Sequence, residues 1–154
     1  MIEKSKILIV EGRFYEDISD ELCKGAIAIL NKANIKYERI SVPGAFEIPQ
    51  TIIHAVHDME HGTYKNFYAG FIALGCVIRG ETSHYDYVCQ ESSRALMDIV
   101  LKHRVALGYG ILTVENYEQA WERASTVKKN KGGDVANACI RMVEVKKHFH
   151  SLSS

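Results

Sequence analysis

Residues 74–91 read LGCVIRGETSHYDYVCQE, and the change of pattern partway along this stretch decides the fold. Phe71 to Leu74 form an apolar run after Gly70, and Cys76-Val77-Ile78 carry it on as a strand. Arg79-Gly80-Glu81-Thr82-Ser83 then breaks the pattern, and His84 opens a helix. A glycine-containing strand-to-helix turn leaves backbone N–H groups unpaired, which makes it a ready anion site. Histidine at the head of such a helix is the side-chain type that trades protons near neutral pH. Anion site and proton shuttle therefore fall within five residues of one another.

Working outward, the same alternation repeats. Lys6–Val10 (KILIV) reads as a first strand, and Gly12–Tyr15 as a loop. Ile18, Leu22, Ala26, Ile29, Leu30 and Ala33 then recur at helical spacing. Lys36–Val42 is a second strand, stopped by Pro43-Gly44, and Phe46–Pro49 opens a second helix that Gly62 closes. Tyr68–Val77 makes the third strand, His84–His103 the third helix and Val105–Val114 the fourth strand. Asn116 and Gln119 have the spacing of a capping box for a helix to about Ala124. Lys128–Gly133 reads as a basic, glycine-ended linker, Asp134 as the N-cap of a last helix to about His148, and the remainder as a polar tail.

Apolar strands alternating with helices imply a parallel sheet covered on both faces. With right-handed crossovers this is an α/β, doubly wound, four-stranded parallel sheet of the flavodoxin-like kind, a three-layer αβα sandwich. Ligands bind such a sheet beyond the carboxyl ends of its strands. Four loops leave that edge: Gly12–Tyr15, Pro43–Glu47, Cys76–His84 and Thr113–Asn116. The unusual residues of the chain converge there.

Composition narrows the classes. The 154 residues suit one domain over 1–154. Nineteen basic residues balance nineteen acidic ones, which points to neither nucleic acid nor an anionic membrane surface. No apolar run approaches the ~20 residues of a membrane span. The start of the chain shows no signal-peptide pattern, and Cys23, Cys76, Cys89 and Cys139 have no C-x-x-C spacing. Reduced thiols and a cytoplasmic location are the expectation.

Each candidate has a plainer reading beside it. Gly80-Glu81-Thr82 fits an anion cradle or a turn that caps its own helix through Thr82 or Ser83; by itself the turn is the simpler choice. His84 divides evenly between general acid/base and capping residue. His54, His57 and His61 lie beside Asp58 and Glu60 and read as a solvated helix face, with no metal expected. Cys76 with His84 and Asp86 invites a thiol nucleophile, but Cys76 lies in strand and reads as a small core residue. Phe14, Phe46 and Tyr109 suit stacking on a planar heterocycle, with Glu47 as hydrogen-bonding partner. On pattern, Phe46 goes to the core and Phe14, in a loop, to a ligand. Arg123, Lys128, Lys129 and Lys131 form a cationic patch near a helix end. Arg123 lies ~10 Å down its helix from Asn116, directed away from the ligand edge, so it suits a neighbouring subunit's site better than its own.

Five segments in register resemble the lumazine synthase family: GRF (12–14), VPGAFEIP (42–49), ALGCVIRGETSHYDYV (73–88), GILTVENYEQAWERA (110–124) and NKGGD (130–134). The resemblance implies a cofactor-free condensation of 5-amino-6-(D-ribitylamino)uracil with 3,4-dihydroxy-2-butanone 4-phosphate. It implies that Phe14 stacks on the pyrimidine, that Ala45, Phe46 and Glu47 line the ribityl and ring pocket, and that Cys76, Val77 and Ile78 offer backbone groups to the ring. Glu81 and Thr82 would hold the phosphate through backbone N–H groups, with His84 as the proton shuttle. Tyr109 and Arg123 would come from an adjacent subunit, Arg123 pairing with the phosphate and Lys131 lying nearby. A homo-oligomer follows, a pentamer first, since only six residues precede Ile7 where shell-forming relatives carry a longer arm. Ser41 stands where many relatives have Trp, and Tyr109 where Phe is usual. The competing assignments are a riboflavin synthase of the same fold and a non-catalytic flavin-binding module.

Overall fold

The computed structural model describes residues 5–62 and 67–152; the first residues of the chain, on which the signal-peptide reading rests, and the end of the polar tail lie outside them. The elements are β1 (Lys6–Gly12), α1 (Glu16–Lys32), β2 (Tyr37–Val42), a single 3₁₀ turn (Ala45–Glu47), α2 (Ile48–His61), β3 (Tyr68–Ile78), α3 (His84–His103), β4 (Leu107–Val114), α4 (Tyr117–Ala124) and α5 (Lys131–Leu152). The four strands form one parallel sheet in the order β2-β1-β3-β4. The α/β sandwich expected from the sequence is the fold observed. Chain order reverses between β1 and β3, and the crevice at that reversal is where this topology receives ligands.

Side-chain alternation along the strands divides the core in two. Ile7, Ile9, Ile72, Leu74, Leu112 and Val114 face α1, α4 and α5, packing on Leu22, Ala26, Ala124 and Cys139. Leu8, Val10, Phe71, Ala73 and Ile111 face α2 and α3, packing on Ile52, Val56, Leu96 and Ile99. Fully burying a side chain such as Phe71 or Ile52 contributes roughly 1.5–3 kcal/mol. Pro49 sits in the first turn of α2, where its missing N–H costs nothing. At α4 the Asn116 Oδ1 accepts from the Gln119 N–H at 2.9 Å, and the Gln119 side chain returns to accept from the Glu115 N–H at 2.8 Å. That is a capping box displaced by one residue from the usual return partner.

Two sequence expectations need correction at the carboxyl end. The basic stretch before Asp134 is not all linker: α5 begins at Lys131, and Asn130, in the left-handed region at φ 47°, accepts from the Gly133 N–H in the capping position. Gly132 and Gly133 are buried inside the helix because α1 crosses there; a Cβ on Gly132 would lie 2.0 Å from the Leu22 carbonyl oxygen. Gly132 thus serves helix approach rather than chain flexibility. The tail expected after His148 continues as helix to Leu152.

Candidate active site

Three of the four ligand-edge loops meet in a cavity of about 590 Å³, within the range of small-molecule sites. The β1–α1 loop supplies Phe14 and Tyr15; the β2–α2 connection supplies Pro43, Gly44, Ala45, Phe46 and Glu47. The end of β3, its following turn and the head of α3 supply Cys76, Val77, Ile78, Gly80, Thr82, His84, Tyr85, Tyr87 and Val88. The Thr113–Asn116 loop does not reach it.

The aromatic wall is built on a close backbone crossing. A Cβ on Gly12 would lie 2.7 Å from the Gly44 carbonyl carbon, so both loops converge only because residue 12 lacks one. Beyond the crossing Phe14 is 71% exposed, its ring held edge-on against Tyr15 with centroids 4.9 Å apart. Phe46 is 55% exposed and lines the cavity, which corrects the core assignment drawn from its pattern. Residues 45–47 form a 3₁₀ turn rather than the first turn of α2. The change of period rotates Phe46 outward while Ala45 is buried.

Beneath that wall lies a charged knot. Glu11, near the end of β1, is 2% exposed. Its carboxylate accepts from Arg13 Nη1 at 2.7 Å and from Arg39 Nε and Nη2 at 2.7 and 3.0 Å. Burial pushes this carboxyl upward, and the hydrogen bonds from Arg39 and Arg13 outweigh it, leaving the group below the usual carboxylate range. Arg13 also binds Glu16 at 2.8 Å and Asp20, while its backbone N–H donates to the Val42 carbonyl at 3.0 Å. The residue preceding Phe14 is thus tied to α1 and β2 together.

The anion turn is built differently. Gly80, Glu81, Thr82 and Ser83 are all exposed, and among the described residues none of their backbone N–H groups donates a hydrogen bond. Ser83 occupies the cap position of α3 without a side-chain cap bond; Thr82 Oγ1 accepts from the His84 N–H at 3.3 Å instead. His84 is the first residue of α3 and opens onto the cavity. A Cβ on Gly80 would meet nothing within 4 Å. The turn thus offers unpaired donors beside a helix N-terminus, with an imidazole next to them.

Cys76 lines the cavity but is buried, and burial, reinforced by Asp17 and Cys89, pushes its thiol up to about 12. A thiol so rarely ionised at neutral pH is a poor nucleophile, consistent with its reading as a core residue. His54, His57 and His61 are exposed along α2, and no cluster of three or more metal-ligating side chains occurs among the described residues.

Of the residues singled out in the sequence, Phe14, Ala45, Phe46, Glu47, Cys76, Val77, Ile78, Thr82 and His84 share the cavity. Glu81 lies in the turn but does not line it. Tyr109, Arg123 and Lys131 are outside it: Tyr109 lies on β4, Arg123 donates to the Gln119 carbonyl at 3.1 Å, and Lys131 stands 3.9 Å from Asp134. Sequence reasoning missed Tyr15, Tyr85 and Tyr87 as lining residues. Their place next to Phe14 and His84 at the ends of two ligand-edge loops was the available signal. Among the described residues no helix is long and apolar enough to cross a membrane.

Known proteins resemble this chain over almost its whole length. The chain is 54% identical over 149 residues to a 6,7-dimethyl-8-ribityllumazine synthase of Bartonella tribocorum, covering 97% of this chain and 95% of that protein. It is 49% identical over 148 residues to 6,7-dimethyl-8-ribityllumazine synthase 1 of Rhizobium meliloti, covering 96% and 95%. A sequence model of the 6,7-dimethyl-8-ribityllumazine synthase family matches residues 4–147, and the chain belongs to that family.

Proposed function

We infer that the chain condenses 5-amino-6-(D-ribitylamino)uracil with 3,4-dihydroxy-2-butanone 4-phosphate to 6,7-dimethyl-8-ribityllumazine, releasing phosphate and water, as a transferase of riboflavin biosynthesis. The observation that carries this reading is the meeting, in one cavity, of exposed aromatics and a carboxylate with an unpaired-donor turn and His84. A simple flavin binder has no use for a base placed beside an anion turn. Phe14 stacks on the pyrimidine ring; Ala45, Phe46 and Glu47 line the ring and ribityl pocket; Cys76, Val77 and Ile78 present backbone groups to the ring. Glu81 and Thr82 hold the phosphate through their N–H groups.

The pyrimidine's amine attacks the ketone and water leaves to give a Schiff base. Phosphate is eliminated next, and the second amine closes the ring with loss of water. His84 carries protons between these steps. An amine nucleophile and a phosphate leaving group call for orientation, which contributes at most ~7–11 kcal/mol, and for proton transfer worth ~10²–10⁴-fold. Arg123, which sits off its own chain's cavity, pairs with the phosphate of a neighbouring subunit's site, joined there by Tyr109 and Lys131. The assembly is a homopentamer, and the enzyme acts in the cytoplasm.

Mixing protein with both substrates and following lumazine fluorescence and phosphate release tests the assignment; a rate no faster than the spontaneous reaction defeats it. His84→Ala lowers turnover by about 10²-fold or more. Mixing inactive His84→Ala and Arg123→Ala chains restores activity if sites are shared, and a mixture as inactive as its parts refutes sharing. Light scattering after size exclusion reads the pentamer directly.

A further inference from the structure

We propose that Arg79 is a positioning residue, clamping the Gly80–Ser83 turn and the head of α3 to the β4–α4 junction and so fixing the anion donors relative to His84. The proposal rests on the reading of this turn as the phosphate end of the site. Arg79 touches every element involved. Its backbone N–H donates to the Val114 carbonyl at 3.0 Å, at the end of β4. Its Nε lies 2.6 Å from the Glu115 carboxylate, in the β4–α4 loop, and its Nη1 is 3.4 Å from Asp86, in the first turn of α3. The guanidinium also covers the Tyr85 ring, 4.3 Å from its centroid.

The turn itself has little else to hold it. Beyond Arg79, the Thr82–His84 bond and a 3.0 Å bond from the Asp86 N–H to the Ser83 carbonyl join it to α3, and both are local. Residues 80–83 are all exposed. A donor set left free for an anion cannot also spend its N–H groups on internal bonds, so its rigidity has to come from a flanking side chain. Arg79 supplies it from the edge of the turn.

Charge argues that the role is geometric. Glu115 and Asp86 both face the guanidinium, so its positive charge is already matched within the protein. Lysine keeps the charge but cannot hold two carboxylates and a ring face from one planar fork. Positioning and direct anion binding therefore make opposite predictions. If Arg79 positions the turn, loss of Glu115 weakens phosphate binding. If Arg79 binds phosphate itself, loss of Glu115 frees the guanidinium and strengthens it.

The test uses the full chain carrying Arg79→Lys or Glu115→Gln. Each substrate's KM is measured with the other saturating, and inorganic phosphate binding is measured by calorimetry. Arg79→Lys is expected to lower kcat/KM for the butanone phosphate by about 10²-fold, the loss that a small misplacement produces. Its KM for the pyrimidine stays unchanged and its affinity for inorganic phosphate falls. Glu115→Gln moves the same quantities in the same direction by less. Tighter phosphate binding in Glu115→Gln, or wild-type behaviour in Arg79→Lys, overturns the proposal. So does an equal rise in both KM values, which marks collapse of the whole edge. If the wild type binds inorganic phosphate but does not condense the substrates, the reaction assignment fails while the clamp is still judged on phosphate binding. If the wild type binds no phosphate, the clamp fails with the anion site.

Discussion

The β1–α1 loop and the β3–α3 turn leave the same edge of the same sheet, yet they are fastened in opposite ways. The first rests on a buried carboxylate, Glu11, gripped by Arg13 and Arg39. The second is exposed from Arg79 to His84 and held by ion pairs that water reaches. The difference follows from what each presents. Phe14 offers a ring, so the backbone behind it is free to bond internally and the loop can be stiffened from below. The turn leaves its own N–H groups unbonded, and under the proposed function internal bonding would use up the donors meant for phosphate. Internal bonding is concentrated under the aromatic wall, and unbonded donors in the turn.

Breaking the first fastening gives the largest effect on stability. Arg39→Leu leaves Arg13 to balance the charge of the buried Glu11 and is expected to cost about 3 kcal/mol, near the low end for breaking a buried pair because Arg39 is partly solvated. Chemical denaturation measures it. Kinetic constants taken well below the unfolding temperature should hardly change. If Arg39→Leu instead spares stability and damages KM, the division between the two regions is wrong.

Acid titration of stability sharpens the same point by a smaller amount. The folded-state pKa of Glu11 lies below its unfolded value, so its contribution is fully present above the ordinary carboxylate pKa of ~4.3 and is lost as pH falls through the depressed folded value. Arg39→Leu removes the main lowering partner, so the variant's unfolding free energy should fall less steeply than the wild type's below about pH 4.3. Parallel acid profiles would show that Glu11 is not the group responsible.

Salt gives the smallest effect and addresses the second fastening. Exposed pairs are screened when the Debye length shrinks to ~3 Å at 1 M. The kinetic gap between Arg79→Lys and wild type should therefore narrow as sodium chloride is raised, while the stability gap for Arg39→Leu persists. A gap that salt leaves untouched would mean that the stacked ring of Tyr85, rather than the carboxylates, holds the turn.

The architecture was legible because it depends on local patterns that strands and helices cannot share. Short apolar runs mark the strands, and the helical spacing from His84 to His103 marks the third helix, as observed. What escaped involved contacts between distant segments. Gly132 looks like a linker residue until α1 is laid across it, since nothing local distinguishes a glycine kept for close approach from one kept for freedom. Phe46 was drawn to the core because a 3₁₀ turn shifts phase over only three residues. In the candidate site, residues on adjoining loops of one edge were found from topology. The Arg79–Glu115 pair, 36 positions apart, had no signature at all. Arg123 lies off its own chain's cavity, so one chain's geometry is silent about what it meets.

The empty space around Gly80 has a practical side. Its backbone is not left-handed and a Cβ there touches nothing within 4 Å, whereas the same change at Gly12 would collide with the neighbouring loop. Gly80 is thus the position at which a cysteine, and through it an environment-sensitive dye, can be introduced beside the unpaired donors without disturbing the packing. Because the four native thiols are buried or partly buried, labelling would favour that position, and occupancy of the turn could be read optically, independently of turnover.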